Sequence, residues 1–133
     1  MNKFHIAKYY CLKFYAHVLV PSCQWLLMAL CDCQNRSLIQ EYLEEYLEYA
    51  IRVGEISLRT EPGVLTMYAV SEKENPCMVT ILETYASQAA YQAHISSAHF
   101  QEYKQKTLHM VKSLVLSDQT PLNPKNQIVN FIQ

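Results

Sequence analysis

The sequence predicts an α+β domain with the ferredoxin-like βαββαβ order of elements. Three observations support this prediction. A long amphipathic helical pattern begins near Leu38, two segments rich in β-branched and aromatic residues follow it, and an interrupted helical pattern then leads into a last strand. If a strand precedes the first helix, the elements complete a sandwich in which helices cover one face of a four-stranded sheet.

The first helix is predicted from apolar residues that recur at spacings of three and four, while acidic residues fill its other side. Ser37 or Asn35 is a candidate N-cap. The helix is expected to end near Thr60, because Pro62 disfavours helical geometry in Glu61. The apolar stripe consists of Ile39, Tyr42, Leu43, Tyr46, Ala50, Val53 and Ile56.

Two strands are predicted next, at Val64–Ser71 and Met78–Tyr85. The segment between them contains Asn75 and Pro76, a typical turn signal. The two strands are therefore expected to pair in antiparallel fashion.

The second of these strands carries an unexpected acid. Alternation places Glu83 on the same face as Val79, Ile81 and Tyr85. A buried carboxylate is costly unless it is paired or hydrogen-bonded. Glu83 is therefore either a structural acid with a partner or part of a functional site.

The last elements surround a pair of serines. Ser87 is a good N-cap for a short helix that runs through His94. Ser96 and Ser97 interrupt the helical pattern, and either one can cap the next helix, which carries Phe100 on its apolar stripe. Lys112–Asp118 then has the composition of a final strand.

The first 37 residues remain open to several interpretations. Lysines precede an apolar run at Phe14–Cys31, which is typical of a secretion signal, but Pro21 and other polar or helix-breaking residues interrupt the run. A membrane-spanning helix needs about 20 mostly apolar residues, so no membrane span is expected. A lipoprotein-like cleavage box ending at Cys31 and a buried strand at Trp25–Cys31 are the alternatives.

We accordingly predict an N-terminal extension at 1–37, a domain at 38–122 and a C-terminal tail at 123–133. A cytoplasmic location is expected, with a secreted or lipid-anchored form as the alternative.

Composition excludes several classes of function. The formal net charge is -1, and no basic run interleaves with aromatic residues, so nucleic acid is not an expected partner. With only two glycines, Gly54 and Gly63, the chain cannot form a Walker or dinucleotide-binding loop. Five cysteines, four of them in the first quarter, do not form a disulfide framework for the domain. Cys31 and Cys33 lack a second pair at zinc-site spacing.

Three segments resemble a known family. "EPGVLTMYAV", "ILETYASQAAYQAHISSAHFQEYK" and "MVKSLVL" are similar to the antibiotic biosynthesis monooxygenase (ABM) domain, in its quinol monooxygenase branch. The resemblance spans roughly Leu38 to Leu122. It implies a homodimer, a dimeric α+β barrel, with a pocket between sheet and helices in each subunit. It also implies a cofactor-independent reaction, without flavin, haem or metal, of molecular oxygen with a small aromatic quinol or phenol.

The chain departs from the family where the first strand belongs. That place holds "CDCQNRSLI", which is polar and poor in strand-forming residues. The first strand is therefore expected to be short, around Arg36–Ile39, to lie at Trp25–Cys31, or to be degraded.

The resemblance also implies the site residues. His94 and His99, with Ser97 and Phe100, match the family's "H…S-x-H-F" element and are the candidate catalytic residues, since a neutral imidazole can remove a phenolic proton. No metal site is expected, because five-residue spacing across a helix break does not place both histidines on one helical face. The predicted substrate pocket is lined by Tyr68, Glu83, Phe100 and Tyr103.

Two other functions remain open from the sequence. The same fold is compatible with an isomerase of a small phosphorylated carbonyl compound. It is also compatible with a non-enzymatic dimeric module that binds a small ligand. Haem degradation is disfavoured, since no axial histidine arrangement is evident.

Overall fold

The structure, a computed structural model, describes residues 30–123 and confirms the predicted ferredoxin-like α+β fold. The signal-like run before Leu30 and the tail after Asn123 lie outside the described residues, and the predicted domain limits stay predictions. The elements are β1 (Leu30–Leu38), α1 (Leu43–Thr60), β2 (Val64–Ser71), β3 (Met78–Tyr85), α2 (Gln88–Ser96), α3 (Ala98–Thr107) and β4 (Val111–Gln119), with short 3-10 turns at Gln40–Tyr42 and Leu108–Met110.

The four strands form one antiparallel sheet in the order β2-β3-β1-β4. The predicted pairing of β2 with β3 is confirmed, and both strands have the predicted bounds. β1 is a central strand, which pairs with β3 on one side and β4 on the other.

The position of β1 differs from the expectations of a short strand around Arg36–Ile39 and of a degraded strand, and most of the third alternative, Trp25–Cys31, lies outside the described residues. The polar segment is itself the strand, which is neither short nor degraded, and it begins at Leu30. Its alternate side chains Asp32, Gln34 and Arg36 are buried. The low strand propensity of this segment was misleading because its pairing with β3 and β4 on both sides, and not its composition, makes it a strand.

The start of α1 also differs from the expectation. Ser37 lies in β1, so neither it nor Asn35 caps the helix, and a 3-10 turn leads into the helix instead. Its end at Thr60 is as predicted. Ser87 and Ser97 are the N-caps of α2 and α3, where their hydroxyl groups accept from the backbone N–H groups of Ala90 and Phe100.

The core lies between the sheet and the helices. Val79 and Ile81 of β3 pack with Tyr46 and Val53 of α1 and with Tyr103 of α3. As predicted, Glu83 lies in this buried row. The opposite face of the sheet carries Tyr68, Val70 and Val115 with large exposed fractions of 58%, 47% and 59%.

Candidate functional site

A pocket of about 280 Å³ lies between α1, α3 and the sheet. Its walls are mostly apolar, with Ala50, Ile51 and Val53 from α1 and Met67 from β2 among the lining residues. An apolar concavity with a few polar groups is typical of a small-molecule site.

All four residues predicted to line a substrate pocket border this cavity. Glu83 lies on the central strand β3, and Phe100 and Tyr103 lie on α3. Tyr68 lies on the edge strand β2, where alternation places its side chain on the opposite face of the sheet from Glu83. Whether a substrate binds there stays a prediction. Arg36, which sequence reasoning did not single out, is a fifth lining residue of functional interest.

A buried polar network adjoins the pocket on the inner face of β1 and β3. Arg36 and Glu83 of this network line the cavity, whereas Asp32, Gln34 and Tyr85 do not, and we name these five residues the pocket floor. Tyr85 donates its hydroxyl hydrogen to Glu83 Oε2 over 2.8 Å, and Arg36 Nη2 donates to Gln34 Oε1. β1 and β3 place these residues together because they are paired and because alternate positions of each strand face the helices.

Burial dominates the charge state of this floor. It raises the pKa of Glu83, although the hydrogen bond from Tyr85 and the guanidinium of Arg36 act in the opposite direction. Burial, reinforced by the carboxylates of Glu83 and Asp118, also raises the pKa of Asp32 to about 6. The floor therefore favours the protonated form of each acid more than water does.

Aromatic residues join the pocket to the nearby helices. The hydroxyl groups of Tyr46 and Tyr103 lie 2.7 Å apart and are hydrogen-bonded. The ring of Phe100 lies 6.2 Å from that of Tyr103 and 4.8 Å from that of His94, measured between centroids. Phe100 thus separates His94 from the cavity, and neither His94 nor His99 is among the residues that line it.

The two histidines instead converge on Glu61. His94 Nδ1 lies 2.9 Å and His99 Nε2 lies 2.6 Å from the same atom, Glu61 Oε1. The Ser97 hydroxyl lies 3.1 Å from His99 Nε2. We name Glu61, His94 and His99 the histidine cluster. The two histidines are five residues apart and lie on different helices, α2 and α3. Glu61, which precedes both helices in the chain, contacts both of them.

Local sequence explains this convergence. Glu61 is the C-cap residue of α1 and is held out of the helix before Pro62. Gly63 lets the following turn approach α2 closely, because a Cβ at that position would clash with Ala90. Ser97 ends α2 by donating its N–H to the His94 carbonyl, and it also caps α3.

Electrostatics in the histidine cluster differ from those of the pocket floor. Burial acts to raise the pKa of Glu61, but hydrogen bonds from His94 and His99 outweigh it, so this pKa lies below its ordinary value. The ionised Glu61 therefore accepts from both imidazoles. His94 is fully buried, and its Nε2 has no hydrogen-bond partner among residues 30–123.

Sequence reasoning missed Arg36 and Glu61 for different reasons. Arg36 belongs to an alternating series with Asp32 and Gln34, and this period of two was the available signal for a strand with a polar inner face. Glu61 carried no signal beyond its place at a helix end before Pro62, because its contacts with His94 and His99 are formed only by the tertiary structure.

Within residues 30–123, no helix has both the length and the apolar character needed to cross a membrane.

Comparisons with known proteins agree with this fold. The family model "Antibiotic biosynthesis monooxygenase" matches residues 36–106. No curated protein matches the chain. Among solved structures, a proposed antibiotic biosynthesis monooxygenase from Bacteroides thetaiotaomicron is 50% identical, with a TM-score of 0.70, over 71% of this chain and 90% of that one.

Two more distant structures show the fold alone. A proposed antibiotic biosynthesis monooxygenase from Nitrosomonas europaea has a TM-score of 0.69 at 17% identity, over 77% of this chain and 98% of that one. A similar protein from Caulobacter crescentus has a TM-score of 0.68 at 15% identity, over 72% and 92%. The family match and the half-identical structure establish that this chain belongs to the antibiotic biosynthesis monooxygenase family.

Proposed function

We propose that the protein is a cofactor-independent monooxygenase that oxidises a small aromatic quinol or phenol with molecular oxygen. The observation that carries this proposal is the largely apolar pocket with a buried carboxylate, Glu83, and a guanidinium, Arg36, in its lining. Membership of a monooxygenase family supports the oxygen chemistry.

The proposed reaction needs no electron donor other than the substrate. A quinol gives up four electrons as one ring C–H becomes C–OH and the quinol becomes a hydroxyquinone. Molecular oxygen accepts those electrons, one of its atoms entering the ring and the other leaving as water. The protein's task is to form and stabilise the electron-rich phenolate beside oxygen in a water-poor cavity.

We assign the proton-accepting role to Glu83. It lies in the pocket lining, and its raised pKa brings it closer to the range in which a carboxylate accepts a phenolic proton effectively. Arg36 would stabilise the phenolate, and the ring faces of Phe100 and Tyr103 suit an aromatic substrate.

The histidines have a less direct role in this proposal. His94 packs against Phe100 and is not among the residues that line the pocket, so we assign it to positioning of the pocket wall. Direct proton transfer by His94 or His99, as expected from the sequence, stays a prediction that the same variant series tests.

The test is oxygen uptake with a panel of hydroquinones, with product identification by mass spectrometry. Glu83→Gln should lower turnover by roughly 10²–10⁴-fold, the usual contribution of acid–base catalysis. Glu72→Gln, in the exposed turn between β2 and β3, is the matched control. Near wild-type turnover in Glu83→Gln, together with a loss of that size in His94→Gln or His99→Gln, would assign the base to a histidine instead.

The panel also separates the other functions. Ligand binding without oxygen uptake above the uncatalysed rate would favour the binding module. Conversion of a phosphorylated carbonyl compound without oxygen consumption would favour the isomerase. Either result would contradict the proposed oxygenation.

We also propose that two copies associate through the uncovered sheet face. Tyr68, Val70 and Val115 on that face are large apolar side chains with more than two fifths of their surface exposed. Burial of such side chains against a second copy would remove apolar area from water. Sedimentation at micromolar concentration should give a dimer, and Val115→Lys should shift it towards monomer; a wild type that is only monomeric would contradict this.

A further inference from the structure

We propose that the histidine cluster of Glu61, His94 and His99 binds one first-row divalent cation, with Zn²⁺ as the best match. The cation would join the end of α1 to the α2–α3 joint. This inference goes beyond the proposed oxygenation, because none of the three residues lines the 280 Å³ pocket.

The three candidate ligand atoms already lie close together. His94 Nδ1, His99 Nε2 and a Glu61 oxygen all lie within 4.8 Å of one another. Two of the separations, 2.9 Å and 2.6 Å, are hydrogen-bond distances to the single atom Glu61 Oε1. Zinc bonds of about 2.0–2.1 Å to nitrogen and carboxylate oxygen require ligand separations of roughly 3 Å or slightly more. Small outward movements of the side chains would therefore open the site.

Proton bookkeeping is also compatible with a cation. A bound ion would take the place of the N–H protons that His94 and His99 now direct at Glu61. If His94 binds the ion through Nδ1, the single proton of its neutral imidazole moves to Nε2. That nitrogen has no hydrogen-bond partner among the described residues. Binding would thus release a proton only where an imidazole was charged.

Access to the site comes from one side. The side chain of His94 is fully buried, whereas those of His99 and Glu61 are 21% and 15% exposed. An ion can enter past these two residues, and a water molecule from the same side can serve as the fourth ligand. Ser97, whose hydroxyl lies 3.1 Å from His99 Nε2, is placed to hydrogen-bond that water.

The ligand types favour a particular class of ion. Two imidazoles and one carboxylate suit zinc and neighbouring transition metals, whereas calcium and magnesium prefer oxygen ligands. Three protein ligands with one open position match a four-coordinate site. Because the ligands come from α1, α2 and α3, we assign the ion a structural role and no step in the oxygen chemistry.

The experiment measures metal binding to the full chain after chelator treatment. Calorimetry with Zn²⁺ should give one site per chain with a dissociation constant in the micromolar range or below, and Zn²⁺ should raise the melting temperature. His99→Gln and Glu61→Gln should each weaken binding at least tenfold. His109→Gln, an exposed histidine outside the cluster, is the control and should bind as the wild type does.

Co²⁺ substitution then identifies the ligands. Four-coordinate Co²⁺ with nitrogen and oxygen ligands should give visible d–d bands that disappear in His99→Gln. No one-to-one binding by the wild type, unchanged binding in His99→Gln, or a thiolate-to-cobalt band that implicates cysteines would each overturn the proposal. Circular dichroism verifies folding, and if Glu61→Gln does not fold, His99→Gln alone decides.

Discussion

Two carboxylates beside the same core have opposite electrostatic properties. Glu83, on the pocket floor, is 4% exposed, and burial raises its pKa. Glu61, in the histidine cluster, has a side chain that is 15% exposed, and its two imidazole partners lower its pKa. The difference shows that the partners of a carboxylate, and not burial alone, decide which protonation state the fold stabilises.

The largest effect on stability is expected from His94→Ala. His94 is fully buried, packs against Phe100 and Tyr85, and hydrogen-bonds Glu61. Its removal leaves a cavity and takes a donor from the ionised Glu61, at a cost of about 2–5 kcal/mol in the free energy of unfolding. Chemical denaturation measures this cost.

His99→Ala is the matched comparison for that variant. Its side chain is 21% exposed, so water can replace part of what is lost, and the expected cost is clearly smaller. Equal losses of unfolding free energy in the two variants would contradict this expectation, because they would mean that the deeper burial of His94 adds nothing to stability.

Asp32→Asn tests the pocket floor. The pKa of Asp32 is raised from 3.8 to about 6, so its contribution to stability is fully present below pH 4 and is lost as the pH rises through about 6. Asparagine does not ionise. The variant should therefore be more stable than the wild type at pH 7, by at most about 3 kcal/mol, since one pKa unit corresponds to about 1.4 kcal/mol.

Unfolding free energies at pH 4 and pH 7 measure this difference. The advantage of Asp32→Asn should shrink towards pH 4, where the wild-type carboxyl is protonated in the folded state. An advantage that does not depend on pH would contradict the assignment to ionisation.

Glu61→Gln should give the opposite sign. The lowered pKa of Glu61 means that its ionised form stabilises the fold above its ordinary pKa of 4.5, and this stability is lost as the pH falls through the folded-state value. At pH 7 the variant should be less stable by about 1–2 kcal/mol, because charge-assisted hydrogen bonds from His94 and His99 become neutral ones.

The same denaturation series at pH 7 and pH 3, in metal-free buffer, measures this variant. The gap between Glu61→Gln and the wild type should close at the lower pH. A stability difference that is the same at both pH values would mean that Glu61 acts through packing and not through its charge. Glu61 would then not differ from Glu83 in the way described above.

Tyr46→Phe should have the smallest effect and provides a neutral reference. It removes one hydroxyl from the buried pair with Tyr103 without changing any charge. A loss of about 0.5–1.5 kcal/mol is expected from the broken hydrogen bond. The loss should be the same at pH 4 and pH 7, and a marked pH dependence would show that the tyrosine pair is coupled to the acids of the floor.

The sequence alone determined the order of elements and most of their bounds. Local signals were sufficient for β2, β3 and the caps Ser87 and Ser97, because alternation, turn residues and capping hydroxyls act over a few residues. The same period of two placed Glu83 in the buried row. Resemblance to a family added the pocket residues Tyr68, Phe100 and Tyr103, which the structure brings to one cavity.

Only the tertiary structure decided where β1 lies and which residues the histidines contact. Polar side chains such as Asp32 and Arg36 lower the propensity of a segment for strand formation, and this segment becomes a strand by pairing with β3 and β4, which are distant in sequence. Likewise, Glu61 meets His94 and His99 across more than 30 residues, because the turn after α1 packs against α2. Sequence patterns report local periodicity, whereas a long-range contact between side chains depends on how packed elements are placed in space.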